Sequence, residues 1–408
     1  MKTLLILYPY KFTEFEYYKH ELAYFNKKNY KIIIHDLSKI LINEKFHKTW
    51  INTKREKKAI SFSSFLSWKN EFNKVARDKN VLVYDFLDYS QINFTVFLIR
   101  LILMLSKLPV LKYDVADVPV SFPVKNLKFF LSRIFFRHKF NLKVYFSKIN
   151  QLCFSRLIKF IKFDQIFLMR IKNFYLDKTK KNTYLVKCHS SDYSNFLLER
   201  YNNSNKSVKK KYIIYIDRPV PYFSGDYLSE HRKVPENNIE KWYYELNSFF
   251  DYLEDIFKSQ VLIIPHPKQK DPSLKRKNKN PYFSNRISDN SYNACAKLIP
   301  KCLFVISLGS SALSYAAINY KPIQFIYSSN YIYGWNEKED LFFQANLLGL
   351  KPINIASFKK KKLSENLRIN RAKYDRYKPK FLTYKNSNIS KSNYKIIKEL
   401  MDRRIEKR

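Results

Sequence analysis

The chain has 408 residues, 46% of them hydrophobic, which is enough to bury two cores of ordinary size and too much for a disordered or fibrous protein. Lys and Arg number 76 against 35 Asp and Glu, and the net charge of +41 draws the protein toward phosphate-rich polyanions: nucleic acid, an anionic bilayer or a nucleotide substrate. Only Gly225, Gly309, Gly334 and Gly349 are glycines, so a GxGxxG dinucleotide turn and a Walker P-loop are excluded, and with them the usual Rossmann dehydrogenase and the P-loop ATPase.

Other absences narrow the chemistry. There is no HExxH and no Asp-x-Asp, so a nucleotide diphosphate is expected to be held without a metal and without any cofactor. Cys153, Cys188, Cys295 and Cys302 form no CxxC pair and no zinc spacing, which fits a reducing cytoplasm. Part of the basic excess also accompanies a chain rich in Asn, Tyr, Phe and Ile, a composition that nucleotide bias in a genome produces.

In chain order, the opening MKTLLILYPY has an apolar run too short for a signal peptide and stopped by Pro9, so it predicts a buried strand, Thr3 to Leu7. Lys31 to His35 and Val81 to Tyr84 predict two more strands of an α/β unit. Ile92 to Met104 is apolar but interrupted by Arg100 and shorter than the roughly 20 residues of a spanning helix, so it predicts a core or interfacial helix. From Ser121 to Tyr175, Phe, Leu and Ile alternate with Lys and Arg at helical spacing. That pattern suits helices on an anionic membrane surface or amphipathic helices packed on their own domain. Residues 201 to 211, YNNSNKSVKKK, predict a linker between a first domain, 1–200, and a second, 212–375.

The second unit alternates cleanly. Strand Tyr212 to Ile216 ends at Asp217, and a helix from Ile239 to Lys258 carries Trp242, Tyr243, Leu246, Phe249, Phe250, Leu253 and Ile256 on one face. Strand Val261 to Pro265, a helix from Ser291 to Ile299, strand Leu303 to Ser307, a helix from about Ser311 to Asn319 and strand Ile323 to Tyr327 follow. Such alternation builds a parallel sheet with helices on both faces. Two such domains across a cleft give an α/β, GT-B-like architecture of two Rossmann-like domains, followed by a basic tail, 376–408, whose late helix carries Ile396, Ile397, Leu400, Met401 and Ile405. That helix either docks on the first domain or touches lipid.

Ligands of open parallel sheets bind beyond the carboxyl ends of the strands. One predicted strand delivers His266, Pro267 and Lys268, and a strand taken as its neighbour delivers Gly309, Ser310 and Ser311 at a helix start. Free N–H groups, hydroxyls and a close-approaching glycine make the second group an anion site, although paired serines there also serve as plain N-caps. Pro267 restricts His266, whose imidazole suits a donor to a leaving phosphate or a general acid, although a histidine at a strand end is also an ordinary structural residue.

These residues carry a resemblance. IIPHP followed by VISLGSSALSYAAINYKPIQFI resembles the HP and paired-serine motifs of bacterial sialyltransferases, polysialyltransferases and capsule-type Kdo transferases. CHSSDY, YIIYIDRPVPYF, YYELNSFFDYLE, PHP and KPIQFI together look like a family of glycosyltransferases encoded with O-antigen and capsule genes, over about Cys188 to Ile326. The resemblance implies a metal-independent GT-B glycosyltransferase of surface polysaccharide synthesis that uses a CMP-activated nonulosonic acid or Kdo. His266, Ser310 and Ser311 match the residues that contact the donor phosphate, with Lys268 and Gly309 beside them. The acidic motif that supplies the base in the sialyltransferases has no counterpart here. Asp217, Asp226 and Asp192 are the candidate carboxylates, each equally a turn or capping residue.

The expected partners are a nucleotide sugar, a lipid-linked or oligosaccharide acceptor and an anionic membrane surface, which places the protein peripherally on the inner face of the cytoplasmic membrane. Alternatives are a polyol-phosphate transferase or a noncatalytic assembly protein. A nucleic-acid-binding protein would use the 32 Tyr and 34 Phe residues for stacking, but these fall largely on strand and helix faces as core residues, and nucleic acid is not an expected partner.

Overall fold

The computed structural model describes all residues except 26–27, 43–54, 88–92, 114–149, 151–152, 155, 172–181, 203–211, 219–234, 267–282, 284–285, 287–290, 334–336, 359–366, 385–389 and 406–408. Twelve strands among them form two parallel sheets. The first contains β1 (Lys2–Tyr8), β2 (Tyr30–Asp36), β3 (Ala59–Ser61), β4 (Val81–Asp85), β5 (Val110–Tyr113), β6 (Ile166–Arg170) and β7 (Thr183–Lys187), in the order β3-β2-β1-β4-β5-β6-β7. The second contains β8 (Tyr212–Ile216), β9 (Gln260–Ile264), β10 (Val305–Ser307), β11 (Ile323–Tyr327) and β12 (Ile353–Asn354), in the order β12-β11-β10-β8-β9. The first is the 3-2-1-4-5-6 order of a dinucleotide fold extended by one strand, and the second is the 2-1-3-4-5 order of a flavodoxin-like sheet. Each order reverses once, between β1 and β4 and between β8 and β10.

The central strands are buried on both faces, as parallel strands covered by helices must be: LLIL of β1 and all five residues of β4 and of β8 are enclosed. Local chemistry sets the helix starts. In α1 (Glu14–Lys19), Thr13 and Glu16 form a capping box in which the Thr13 amide donates to the Glu16 carboxylate at 3.0 Å. Ser64 caps α2 (Phe65–Ala76), and Asn93 caps α3 (Phe94–Leu105) by accepting the Val96 N–H at 2.9 Å. Helix α3 is the apolar segment interrupted by Arg100, and it is a core helix: Arg100 is buried, pairs with buried Asp85 at 3.2 Å and donates to the Leu87 carbonyl. Among the described residues no helix is long and apolar enough to cross a membrane.

Most of the basic aromatic stretch from Ser121 to Tyr175, including Lys128, Arg133, Arg137 and Lys139, lies outside the described residues. Its later part departs from the helical expectation. Ile166–Arg170 is strand β6, hydrogen-bonded between β5 and β7, because its alternating burial fits a sheet better than a helical face.

The chain passes to the second sheet through α4 (Ser191–Asn202), whose Tyr193 is buried in the core of the second unit. The expected linker residues beyond Asn202 lie outside the described residues. Helix α5 (Ile239–Phe257), capped by Asn238 and closed by Lys258 in the left-handed conformation (φ 46°), buries Trp242, Tyr243, Leu246, Phe249, Phe250 and Leu253 against one face of the sheet. Ile256, expected on that face, is exposed. Helices α6 (Ala294–Leu298), α7 (Leu313–Ile318), α8 (Glu337–Leu347) and α9 (Arg371–Tyr377) complete the second unit.

The last helix, α10 (Asn393–Ile405), returns to the first unit, settling the alternative between docking and lipid contact that the sequence leaves open for it. Ile397 and Met401 join the core around β1, and Asp402 accepts from Lys2 and from the Tyr30 hydroxyl. Where the chain crosses between units, the two passages are laced together. The Asn393 side chain accepts the His189 N–H at 3.0 Å and donates to the His189 carbonyl at 2.9 Å, while the Ser190 N–H donates to the Leu382 carbonyl at 2.9 Å.

Candidate functional site

Strand β8 occupies the middle of the site. Ile216 pairs with Ile264 of β9 on one side and with Ser307 of β10 on the other, and the Asp217 N–H continues the first ladder to the Ile264 carbonyl at 3.1 Å. Two residues further, Arg218 falls in the same row as His266 and Gly309. The expectation that His266 and the serine turn leave neighbouring strands is therefore corrected. Strand β8 separates them, so their backbones stand about 10 Å apart, two strand spacings.

On the β10 side, Gly309 has φ +91°, a conformation costly to any residue with a Cβ. An added Cβ would also lie 3.3 Å from Gln344 Oε1 and 3.7 Å from Leu341 Cα, both in α8. Along the Cβ direction this glycine packs closely on that helix. The Gly309 N–H donates to Ser307 Oγ at 3.1 Å, and Ser310 Oγ accepts the Ala312 N–H at 3.3 Å, so the Ser310 hydroxyl caps the turn. Helix α7 begins at Leu313, later than expected, and is six residues long, too short to supply much dipole. The available N–H and O–H donors on this side are those of the turn. Among the described residues the amides of Ser310 and Ser311 and the Ser311 hydroxyl have no recorded partner, and both residues are half-buried.

On the β9 side, His266 is half-buried just past the strand end. Between the two, Asp217 is buried, and its carboxylate accepts the Arg218 N–H at 2.9 Å, holding the turn out of the strand. The Tyr215 hydroxyl is pushed well above its usual range by burial and then by the Asp217 charge. The Arg218 side chain crosses toward β10, where it donates to the Leu308 carbonyl at 3.4 Å and pairs with Glu337 at 3.6 Å. Burial pushes the Tyr333 hydroxyl up to about 12, and the Ser328 N–H and the Arg218 charge pull the other way.

Asp192 sits in the first turn of α4 and accepts from Ser314 Oγ at 2.8 Å, one helical turn past Ser311. It is thus brought to the serine-turn side of the site, where burial, then its charge, pushes the Cys295 thiol up to about 12. Beside it, Ser191 Oγ and the hydroxyl of Tyr113, the last residue of β5, lie 2.7 Å apart, and Tyr18 stacks on Tyr292 with centroids at 4.2 Å. Both contacts join the first unit to elements packed on the second. Lys268 and Asp226 lie outside the described residues.

Arg218 was not singled out from the sequence. Its signal was available in the dipeptide after the strand ending at Asp217, but reading it needed the strand order, which places β8 between β9 and β10.

Compared with solved structures, the chain superposes on a variant of the wall teichoic acid polymerase TagF with a TM-score of 0.51 and 12% identity, over 100% of this chain and 89% of that one. The chain has the GT-B fold. Weaker likenesses, at TM-scores of 0.40 and 0.38, run to UDP-GlcNAc 2-epimerase from Methanocaldococcus jannaschii in complex with UDP-GlcNAc and UDP (14% identity, 98% and 100% coverage) and to MurG from Acinetobacter baumannii (9% identity, 99% and 100% coverage). No family profile and no curated protein matches the sequence.

Proposed function

We propose that the protein is a nucleotide-sugar-dependent glycosyltransferase of surface polysaccharide synthesis, with its donor phosphate held at the carboxyl edge of the second sheet. The observation that carries this reading is the position of His266 and of the unaccepted Ser310 and Ser311 amides around the reversal point of a GT-B sheet, where such folds bind ligands. In the proposed reaction a carboxylate takes the proton of the acceptor hydroxyl as it attacks the sugar's anomeric carbon. The bond to the donor phosphate breaks, and His266 and the turn amides stabilise the charge that develops on the leaving oxygen. Asp192, hydrogen-bonded to Ser314 beside the turn, is the carboxylate we assign as the base. Asp217, enclosed and engaged by its own turn, suits a positioning role, and Asp226 completes the candidates.

The motif resemblance favours a CMP-activated nonulosonic acid or Kdo as donor, transferred without a metal to a lipid-linked or oligosaccharide acceptor at an anionic membrane surface. A thermal-shift screen against CMP, UDP, GDP and CDP tests the core of this reading, because a ligand at a hundred times its Kd stabilises the fold by about 2.7 kcal/mol. Stabilisation by CMP is expected. A response to CDP alone would favour polyol-phosphate transfer instead, and no response to any nucleotide would remove the reading. Transfer should persist in EDTA; abolition reversed by magnesium would overturn the metal-independent part. Salt-sensitive sedimentation with anionic vesicles checks the membrane part, which equal binding to neutral vesicles would sink.

A further inference from the structure

We infer that Arg218 is the principal cation for the donor phosphate, seated at the reversal point of the second sheet between His266 and the Gly309 turn. The inference rests on the reading that this edge binds a phosphorylated donor, and it names the group that reading lacked.

Four observations support it. Register places Arg218 level with His266 and Gly309 in the gap of two strand spacings that separates them, so one phosphate bridging those residues must lie over Arg218. The guanidinium leans toward β10 and meets the Leu308 carbonyl, the residue before Gly309, so it stands next to the turn whose amides have no recorded acceptor. The guanidinium also pairs with the Glu337 carboxylate at 3.6 Å, which marks the position an anion can occupy beside it. A phosphate bound there would compete with Glu337 for the guanidinium. The buried Asp217 carboxylate fixes the backbone of Arg218 by accepting its N–H, so the guanidinium projects from a braced turn. Arginine suits this place because its planar fork meets two phosphate oxygens at once.

The test measures affinity by calorimetry and thermal shift for CMP, the other nucleotides, inorganic pyrophosphate and the unphosphorylated nucleosides, with wild type, Arg218→Ala, Arg218→Lys and Glu337→Gln. Arg218→Ala should weaken nucleotide and pyrophosphate binding by about tenfold to a hundredfold while nucleoside binding is unchanged, with Arg218→Lys in between. Glu337→Gln should tighten both phosphate ligands by a few-fold, an effect that a purely structural ion pair would not give. This second variant keeps the test valid if Arg218→Ala folds poorly. Nucleotide binding kept at wild-type strength in both Arg218 variants, or unchanged by Glu337→Gln, overturns the inference while leaving the glycosyltransferase reading standing. A wild type that responds to no phosphate compound overturns both together.

Discussion

At the reversal point of the first sheet, between β1 and β4, the strand ends are covered by rings. His20 packs against Tyr8, Phe86 and Tyr113 with centroids 6.0, 4.4 and 5.8 Å away, and burial, with Lys19 nearby, holds its imidazole well below the usual range. At the reversal point of the second sheet, between β8 and β10, the strand ends carry Arg218, a serine turn and, one strand over, His266. Equivalent places in two related topologies thus hold opposite chemistry, an uncharged aromatic plug and a cationic cradle. Topology alone offers two strand-end positions, and the side chains make them chemically different.

Three experiments press on that contrast. The largest effect belongs to the first unit, where Asp85 at the end of β4 is committed to Arg100. Arg100→Ala should cost about 3–5 kcal/mol, because it leaves a buried carboxylate unpaired. Denaturant unfolding reads it, and a loss under about 1 kcal/mol would show that this sheet edge is not held by the pair. In the second unit the effect should fall on turnover instead. His266→Ala and Ser310→Ala should each raise the barrier to transfer by about 3–4 kcal/mol with little change in Tm. Near wild-type turnover in either would remove that residue from the site.

The smallest effect is a pH dependence at Glu21, beside the plug. Its backbone is left-handed (φ 59°), its carboxylate accepts the Tyr394 N–H at 2.8 Å, and burial pushes it up to about 7 against a weaker opposing pull from Ser194. Below its ordinary value of 4.5 the group is neutral whether the chain is folded or not, and its contribution is fully present. As pH rises toward 7 the unfolded chain ionises first, and stability on the order of 3 kcal/mol is lost. Opposing groups such as His35, lowered to about 4 by burial, blunt the total, so the comparison is between variants. Glu21→Gln should match wild type near pH 4 and exceed it near pH 8; parallel profiles would rule the carboxyl out as the source.

The second sheet was nearly legible in the sequence, with Tyr212–Ile216 and Ile323–Tyr327 read to the residue, because apolar runs there are short and bounded by turn residues. Strands β5, β6 and β7 were not. Thr183–Lys187 is partly exposed and carries a lysine, and Ile166–Arg170 follows a basic aromatic stretch whose spacing also suits a helix. Candidate site residues were legible as types, since strand-end His266 and the Gly309–Ser311 turn stand out. Their geometry was not, because sequence gives the elements of a parallel sheet and not the order in which they pair. Glu21 escaped for a different reason: its left-handed backbone and its contact with Tyr394 depend on a helix more than 370 residues away.

That return of α10 has a consequence for synthesis of the chain. The core around β1 closes on Ile397 and Met401, and Lys2 meets Asp402 across 400 positions of sequence. A nascent first unit therefore has its seventh strand, ending at Lys187, well before it has its last core side chains. At about 5–20 residues per second the interval is roughly 10–40 s, during which part of the apolar surface beside β1 is bare. A unit made before the second one then finishes folding after it, and a chaperone that shields that face has its window there.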